Sequence, residues 1–356
     1  MSENKYMVRV TCMTFDQASY ITDALNGFVM QKTKFPFVCI IVDDASTDGE
    51  QDVIRKYVGE NFDLQEASIA YDKDTDYGHV TYARHKTNKN CFFAVVYLNE
   101  NHYGQKKAKS PYLTEWLDAK YVAICEGDDY WTDPLKLQKQ VRFLEENDNV
   151  DLCCTDTMVL TPDGSFHHWP QYQDSRIATV EDIILFGLGG KGVYFQTATF
   201  VLRKSLLLGK EYPSYCKECH VSDYPMLLWA ALNGGVYYMN VVTSTYRLQS
   251  QGSWTQREKK VPVERQLKGW RSEVNMLKGL DEWSNGKYSS AFKERIGDFL
   301  YSKVKGHEKE ARLIAKEFSS EMHLLTFKQR VYVRIAVLFP RLFPALRKMR
   351  SKRMKN

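Results

Sequence analysis

Three acidic residues follow directly on an apolar run near the middle of the sequence. The run 121–125 has the composition of a strand, and Glu126, Asp128 and Asp129 come at its end. Like charges grouped at the end of a buried strand are unstable unless a cation neutralises them. Carboxylate oxygens suit Mg²⁺ or Mn²⁺, which can hold a substrate phosphate at the same time. These acids therefore predict a site for a divalent cation.

A second acidic turn follows another apolar run. The unbroken run 37–42 is typical of a strand buried on both faces, and Asp43 and Asp44 come directly after it. In open α/β sheets, ligands bind outside the carboxyl ends of the strands. The two acidic groups can therefore face one pocket although more than 80 positions separate them. The alternative for each acid taken singly is that it caps the following helix.

The order of the predicted elements indicates the fold class. Residues 7–12 and 37–42 read as strands, each followed by a helical pattern, and this opening is typical of a parallel sheet with right-handed crossovers. Further strands are predicted at 92–98, 121–125, 150–159, 196–202 and 235–246. We expect an α/β fold with a mostly parallel central sheet, an N-terminal half that binds a nucleotide, and helices after it. The predicted domains are a catalytic domain at 1–255, a helical extension at 256–326 and a basic amphipathic tail at 327–356.

The tail differs in charge from the rest of the chain. Residues 327–356 contain ten Lys or Arg and no Asp or Glu, and removing them from the net charge of +5 leaves −5 for residues 1–326. Apolar residues recur between the basic ones at three- or four-residue steps, which is typical of a helix on an anionic membrane surface. Pro340 and Pro344 divide the tail into short pieces. The alternative is a helix whose apolar face packs on the body.

Other features of the sequence exclude some classes of protein. No secretion signal and no apolar stretch of about 18 residues is present, which predicts a cytoplasmic protein that can attach to the inner face of the plasma membrane through its tail. No recognised nucleic-acid-binding module accompanies the tail, so no nucleic-acid partner is predicted. The spacing of Cys216, Cys219 and His220 matches a short haem or zinc pattern, but neither ligand is expected without export or a second cysteine pair. The predicted reduced core thiols are Cys12, Cys39, Cys125, Cys153 and Cys154.

Three segments together resemble glycosyltransferase family 2. They are the turn Val42–Asp48, the segment Glu126–Trp131 with Pro134, and a later acid at a helix start, Asp223. They occur in the family's order over about residues 7–255. The resemblance implies a GT-A fold, which is an α/β/α nucleotide-binding sandwich. It also implies transfer of a sugar from a nucleotide donor with inversion of the anomeric centre.

The resemblance assigns roles to the acids of both turns. Asp44 is implied to contact the donor base, on which Phe15 can stack. Asp129 is implied as the main metal ligand and Asp128 as a second contact to the metal or the ribose. The implied cofactor is Mn²⁺ or Mg²⁺. The nucleotide-binding residues that the resemblance implies are Thr14, Phe15, Asp16, Asp43, Asp44 and Asp128.

Asp223 matches the family's catalytic base. An inverting transfer is a single displacement, which needs a base on the acceptor hydroxyl and positive charge at the leaving diphosphate. Two positions depart from the family pattern. Ser222 stands where an acidic residue usually precedes the base, and Gln249 stands where relatives commonly carry a histidine. His102 and His220 are the candidates to replace that histidine as a metal ligand.

The sequence therefore predicts a metal-dependent inverting glycosyltransferase. By resemblance it moves a hexose or N-acetylhexosamine from a UDP-sugar to a hydroxyl of a glycan or lipid-linked glycan. Trp131 and Trp254 are candidates for binding the acceptor sugar, with core packing as the alternative. Two other functions stay open: a catalytically inactive glycan-binding or membrane-scaffold protein on the same fold and, less favoured, a sugar nucleotidyltransferase. The activation loop of the latter, rich in glycine and basic residues, is not found at residues 12–19.

Overall fold

The computed structural model divides into two compact units. It describes residues 4–105, 107, 110–168, 171–187, 191–193, 195–208, 211–250, 253–343 and 345. The first unit, called here the sheet unit, takes its residues from 1–178, 195–210 and 233–257. The second, called the helical unit, takes its residues from 179–194, 211–232 and 258–356.

This division differs from the predicted linear one in two respects. The helical unit begins again at residue 258, close to the predicted boundary, but it also includes 179–194 and 211–232. The second of these segments carries Asp223. The first helix of the predicted tail packs against other helices of the helical unit. The tail therefore starts as part of this unit.

The sheet unit is built on one mixed sheet. Its strands in the described residues are β1 (Tyr6–Thr14), β2 (Phe37–Asp43), β3 (Phe62–Asp63), β4 (Tyr71–Thr75), β5 (Gly78–His85), β6 (Cys91–Leu98), β7 (Ala119–Ile124), β8 (Tyr130–Trp131), β9 (Leu152–Leu160), β10 (Phe166–His168), β11 (Arg176–Ile177), β12 (Val201–Arg203) and β13 (Val236–Arg247). The strand order is β11-β13-β9-β12-β7-β1-β2-β6-β5-β3, with β10 on β9, β4 on β5 and β8 on β13.

The parallel part of the sheet lies at its centre. Strands β7, β1, β2 and β6 are parallel neighbours, and β13 runs parallel to β9. The β-α-β-α opening of the chain produces this arrangement, as predicted. The other strand pairs are antiparallel, including those of β12, which lies between β7 and β9, and the pair of β5 with β6. The observed fold is thus a mixed α/β sheet with a parallel core.

The central strands are buried on both faces, as the run 37–42 predicts. All seven residues of β2 are buried. Cys39 and Ile41 belong to one apolar cluster, which also contains Phe28 of the first helix, while Ile40 and Val42 belong to a second cluster on the other face. Fully burying one large aliphatic or aromatic side chain contributes roughly 1.5–3 kcal/mol, so this two-sided core stabilises the strands that carry the site.

Helices cover the sheet and form the second unit. They are α1 (Ile21–Val29), α2 (Glu50–Asn61), α3 (His102–Gln105), α4 (Lys136–Glu146), α5 (Val180–Ile184), α6 (Lys204–Leu208), α7 (Ser214–Lys217), α8 (Asp223–Asn233), α9 (Trp254–Glu258), α10 (Val263–Trp283), α11 (Ser289–Gly306), α12 (Ala311–Glu317) and α13 (Phe327–Leu338). In the helical unit, α10 packs on α11, and α13 packs on α11 and α12. Within the described residues, no helix has the length and apolar composition needed to cross a membrane. All eight cysteines are free thiols, and the five predicted core cysteines are buried.

Candidate active site

The carboxyl ends of the central strands meet at one edge of the sheet. Thr14 at the end of β1 pairs with Asp43 at the end of β2, and Thr11 pairs with Ile124 at the end of β7. The two acidic turns therefore follow β2 and β7, the two strands that flank β1, at the same edge of the sheet, as the strand pattern predicts. A cavity of about 270 Å³ lies there. It is lined by Met13, Thr14, Phe15, Gln17, Asp44, Tyr103, Glu126, Asp128, Asp129, Thr197, Tyr246, Ser253 and Arg257.

Three carboxylates after β7 line this cavity. Asp129 is only 4% exposed, and its carboxylate accepts a hydrogen bond from the backbone N–H of Arg247 at 2.9 Å. The Ser250 hydroxyl donates to Asp128. Burial raises the pKa of Asp129 well above its usual range, and the charges of Asp128 and Glu126 raise it further. A bound cation would relieve this repulsion, so the donor set fits a hard divalent ion.

The protein supplies only part of a metal coordination shell. Within the described residues, no three His, Cys, Asp or Glu side chains are arranged to hold a metal together. Gln249, which stands where the family resemblance implies a histidine, is exposed with a backbone φ of +58°. His102 is buried but is not among the residues that line the cavity, and His220 belongs to the helical unit. A bound ion would therefore take its remaining ligands from water or from oxygen atoms of a bound molecule.

Asp44 has a structural role at the edge of the cavity. Its carboxylate accepts hydrogen bonds from the backbone N–H groups of His102 at 2.8 Å and Tyr103 at 3.0 Å. These bonds satisfy the first amides of α3 and hold Tyr103 at the cavity wall. Asp43 points to its own loop, where it accepts from the Ser46 N–H at 3.1 Å and the Gln51 side chain at 2.6 Å. Asp43 is not among the residues that line the cavity.

The predicted turn after β1 is joined to the loop after β2. Thr14 and Phe15 line the cavity. Asp16 has a left-handed backbone conformation, with φ of +54°, and its carboxylate accepts from the Thr47 N–H at 2.8 Å. The Asp16 N–H donates to the Ser46 hydroxyl at 2.9 Å. Asp16 therefore connects the two loops rather than lining the cavity.

Glu50 is a central residue of these loops that the sequence pattern did not reveal. It is fully buried at the start of α2 and accepts from the Gln17 N–H at 2.9 Å and the Ser46 hydroxyl at 2.8 Å. It also accepts from the hydroxyl of Thr14. Burial raises its pKa from 4.5 to about 7, against the opposing effect of these hydrogen bonds, and the charge of Asp43 adds to the increase. Glu50 thus holds two cavity residues, Thr14 and Gln17, from behind.

Gly127 permits the close approach of the acidic turn to the turn after β1. A Cβ at this position would lie 2.3 Å from the Thr14 hydroxyl oxygen and 2.6 Å from the Gln17 side-chain oxygen. The Gly127 N–H also donates to the Met13 carbonyl at 3.3 Å. Any larger residue would push the carboxylates of Asp128 and Asp129 away from this wall.

Arg257 is a second site residue that the sequence pattern did not reveal. Among the described residues that line the cavity, it is the only Lys or Arg. Its guanidinium carbon lies 5.4 Å from the ring centroid of Phe15 and 5.6 Å from that of Tyr103. Its Nε is buried without a hydrogen-bond partner. A cation held between two rings with a free donor suits a bound anion.

The structure corrects the proposed position of one aromatic residue. Trp131 is 2% exposed, its indole N–H donates to the Ala198 carbonyl at 2.8 Å, and its ring packs edge-on against Phe28 at 5.0 Å. The ammonium of Lys136 lies 4.8 Å from the same ring. Trp131 is therefore a core residue and has no open face for an acceptor sugar. Trp254 begins α9, and its side chain lies outside the described residues.

Asp223 is the first residue of α8 in the helical unit. It is partly buried, and its carboxylate accepts from the Tyr224 N–H at 2.8 Å. Burial raises its pKa above the usual value, while the backbone hydrogen bonds lower it in part. The Tyr224 ring packs on Phe186 at 5.2 Å, and the Arg295 guanidinium donates to the Tyr224 hydroxyl at 3.2 Å, which fixes the start of this helix. A carboxylate with a raised pKa is a stronger base than an ordinary aspartate.

Comparison with solved structures identifies the fold. S. aureus TarS 1–349 in complex with UDP matches with a TM-score of 0.58 and 17% sequence identity, over 92% of this chain and 86% of that chain. The same protein in complex with UDP-GlcNAc matches with a TM-score of 0.57 and 15% identity, over 93% and 88%. This chain therefore has a GT-A-like α/β fold with a helical C-terminal region, as predicted.

Sequence comparison identifies the family. The model of glycosyl transferase family 2 matches residues 10–207, which is more than half of the chain. The chain belongs to this family. The cavity at the carboxyl ends of β1, β2 and β7 is thus the candidate active site of a family 2 glycosyltransferase.

The curated relatives share only part of their length with this chain. An uncharacterized protein of Mycobacterium tuberculosis is 26% identical over 246 residues, covering 69% of this chain and 60% of the relative. The putative teichuronic acid biosynthesis glycosyltransferase TuaG of Bacillus subtilis is 28% identical over 187 residues, covering 51% of this chain and 61% of the relative. The chain thus spans about 60% of the length of these curated relatives.

Proposed function

We propose that this protein transfers a sugar from a nucleoside diphosphate donor to a hydroxyl of a glycan or lipid-linked glycan, with inversion at the anomeric carbon. The observation that carries the proposal is the cavity at the sheet edge, which is lined by Asp128, Asp129, Arg257 and Phe15 together. Acids for a divalent ion, a cation for a phosphate and a ring for a base are the three recognition elements of a nucleotide sugar.

Each part of the donor has a matching group in the cavity. Phe15 and Tyr103 offer aromatic faces to the base, and Arg257 between them offers its free Nε to a phosphate oxygen. Asp128 and Asp129 would hold Mn²⁺ or Mg²⁺, which when bound supplies positive charge against the leaving diphosphate. Uridine diphosphate is the proposed carrier, because TarS, which shares the fold, has been crystallised with UDP and with UDP-GlcNAc.

The proposed reaction is a single displacement. The acceptor hydroxyl oxygen forms a bond to the anomeric carbon, the bond from that carbon to the diphosphate oxygen breaks, and the nucleoside diphosphate leaves with the bonding electrons. The hydroxyl proton passes to the carboxylate of Asp223, the proposed base. Its raised pKa supports this role, because a base works best when its pKa approaches the working pH. The chain's family membership supports the same assignment.

A donor-hydrolysis screen tests the proposal. Native protein is incubated with UDP-, GDP- and dTDP-sugars, each with and without Mn²⁺ or Mg²⁺, and release of the nucleoside diphosphate is measured. Asp129→Asn should abolish metal-dependent release, because it removes one charge from the proposed metal ligands. Asp52→Asn, at an exposed position on α2, is the matched control and should behave like native protein.

Asp223→Asn separates donor binding from catalysis. It should lower transfer to an acceptor by roughly 10²- to 10⁴-fold, the usual contribution of a general base, while leaving the donor-induced rise in melting temperature intact. If no donor is hydrolysed and no donor raises the melting temperature, the transferase proposal is wrong and a glycan-binding or scaffold role takes its place.

A further inference from the structure

Helix α13 has a face that the protein itself covers. Val333 and Ala336 are buried where the helix packs on α11 and α12. The helix start is fixed by a reciprocal cap, in which Thr326 N–H donates to the Gln329 side chain at 2.8 Å and Gln329 N–H donates to the Thr326 hydroxyl at 3.3 Å. The buried face therefore holds α13 in one orientation on the helical unit.

A second apolar stripe on α13 is exposed. Phe327 is 75% exposed, Val331 40% and Leu338 66%, and their spacing of four and seven residues places them on one side of the helix. The stripe continues beyond the helix end with Phe339, which is 61% exposed, and Leu342, which is 41% exposed. Packing against the body accounts for Val333 and Ala336 but leaves this stripe uncovered in the described residues. An apolar stripe of this extent on a surface marks an interaction site.

Basic side chains flank the stripe without acidic partners. Lys328, Arg330, Arg334 and Arg341 form no ion pair with a carboxylate within the described part of the chain. Six further Lys or Arg and no Asp or Glu follow in the sequence after residue 341. The occupant of this surface must therefore carry many negative charges and also accept apolar side chains.

A groove beside the stripe offers both kinds of contact in one place. It has a volume of about 510 Å³ and is lined by Ala315, Met322, His323, Leu325, Arg330, Val333, Arg334, Val337 and Leu338. Its apolar lining includes Leu325, which precedes α13, and Val337 of α13, and the basic residues Arg330 and Arg334 in the same lining are exposed. A molecule with a hydrocarbon chain and an anionic phosphate matches this combination.

We propose that α13 and residues 339–342, called here the C-terminal face, dock on an anionic lipid bilayer. Phe327, Val331 and Leu338 enter the boundary between head groups and acyl chains, and Arg330 and Arg334 bind lipid phosphates beside the groove. A second copy of the chain does not suit this surface, because two such basic faces repel each other. A nucleic acid satisfies the charge but leaves the apolar stripe in water. The inference is independent of the proposed donor chemistry.

Vesicle cosedimentation of the full chain tests the proposal. Binding is measured on vesicles of phosphatidylcholine alone and of phosphatidylcholine with phosphatidylglycerol. Native protein should bind only the anionic vesicles, and added salt should weaken binding. Arg330→Gln with Arg334→Gln should weaken it about 25-fold, since each basic side chain near an anionic surface contributes about fivefold. Phe327→Ser with Leu338→Ser should also weaken it, at unchanged charge.

The matched control removes the same charge elsewhere on the helical unit. Lys293 and Lys309 are both exposed. The variant Lys293→Gln with Lys309→Gln should weaken binding to anionic vesicles by less than half as much as the arginine pair does. Equal losses in the two pairs, or native binding in the serine pair, would contradict the proposal. Retention on RNA without vesicle binding, or self-association in light scattering without vesicle binding, would also overturn it. Donor hydrolysis in solution should stay at the native level in all these variants, which separates a failure here from a failure of the proposed function.

Discussion

The free energy of unfolding of the native protein should fall as the pH rises, because of Glu50. Replacing Glu50 with glutamine should remove this part of the pH dependence. The carboxylate is fully buried and is held by the Gln17 N–H, the Ser46 hydroxyl and Thr14. Burial is the main cause that raises its pKa from 4.5 to about 7. In the unfolded chain the same group ionises near its usual pKa. Between these two values the unfolded state releases a proton that the folded state retains, so a rising pH favours unfolding.

The magnitude follows from the two pKa values. The contribution of Glu50 to stability is fully present below pH 4.5 and is lost as the pH rises through about 7. At about 1.4 kcal/mol per pKa unit, the complete loss amounts to about 3 kcal/mol, most of which falls between pH 5 and pH 8. Glutamine cannot ionise but can still accept from Gln17 and Ser46. The native protein should therefore lose about 2 to 3 kcal/mol more than Glu50→Gln across this interval.

Urea unfolding at several pH values between 5 and 8 measures this difference. Asp129, whose pKa depends on Asp128 and Glu126 and not on Glu50, contributes equally to both proteins and cancels in the comparison. Glu60→Gln changes an exposed residue at the other end of the same helix and should follow the native profile. If the native and Glu50→Gln profiles run parallel, Glu50 is not a buried group with a raised pKa, and the reasoning is refuted.

Three further substitutions test individual contacts of the site. Gly127→Ala should cost about 1–3 kcal/mol in urea unfolding, because its Cβ would lie 2.3 Å from the Thr14 hydroxyl oxygen; Gly59→Ala, where no atom lies within 4 Å, should instead stabilise by about 0.5–1 kcal/mol. Arg257→Ala should raise the donor dissociation constant by roughly 10- to 100-fold in calorimetric titration, the effect of losing a hydrogen bond to a charged group. Trp131→Phe should lower the free energy of unfolding by about 1–3 kcal/mol through the unpaired Ala198 carbonyl, with unchanged acceptor selectivity in a transfer assay. Native stability of Gly127→Ala would contradict the close approach at Gly127, and native donor affinity of Arg257→Ala would contradict the contact of Arg257 with the donor. A changed acceptor preference of Trp131→Phe would contradict the core position of Trp131.

The location of the site followed from local patterns. Two apolar runs ending in acids predict strands whose carboxyl ends carry charge, and an opening of β-α units predicts a parallel sheet with such ends at one edge. The observed pairing of Thr14 with Asp43, and of Thr11 with Ile124, confirms this reasoning. Each strand end could be predicted from one apolar run and the turn after it, and the general rule for parallel sheets then places these ends at one edge.

Residues that act through distant contacts could not be found in this way. Arg257 follows Phe15 by more than 200 positions, and only the folded chain places its guanidinium between Phe15 and Tyr103. In the sequence, Glu50 is an ordinary first residue of a helix. Only the folded chain shows that its carboxylate is buried and accepts hydrogen bonds from Thr14 and Ser46. Trp131 was a candidate for binding the acceptor sugar, and this candidate role is wrong because the side chain is buried in the core. Its position in the sequence, next to charged residues, does not reveal the direction of the ring.

The balance of charge in the cavity supports the proposal of a divalent ion in addition to Arg257. The carboxylate of Asp44 accepts hydrogen bonds from two backbone N–H groups, whereas burial raises the pKa of Asp129 and the charges of Asp128 and Glu126 raise it further. A diphosphate entering this space adds negative charge to negative charge. Arg257 carries one positive charge, which cannot offset the charges of the carboxylates and of the diphosphate together. Its guanidinium also lies beside the rings of Phe15 and Tyr103. A divalent ion between the carboxylates and the diphosphate would offset both charges at once. The affinities for metal and donor should therefore rise together by the same factor, as linkage requires.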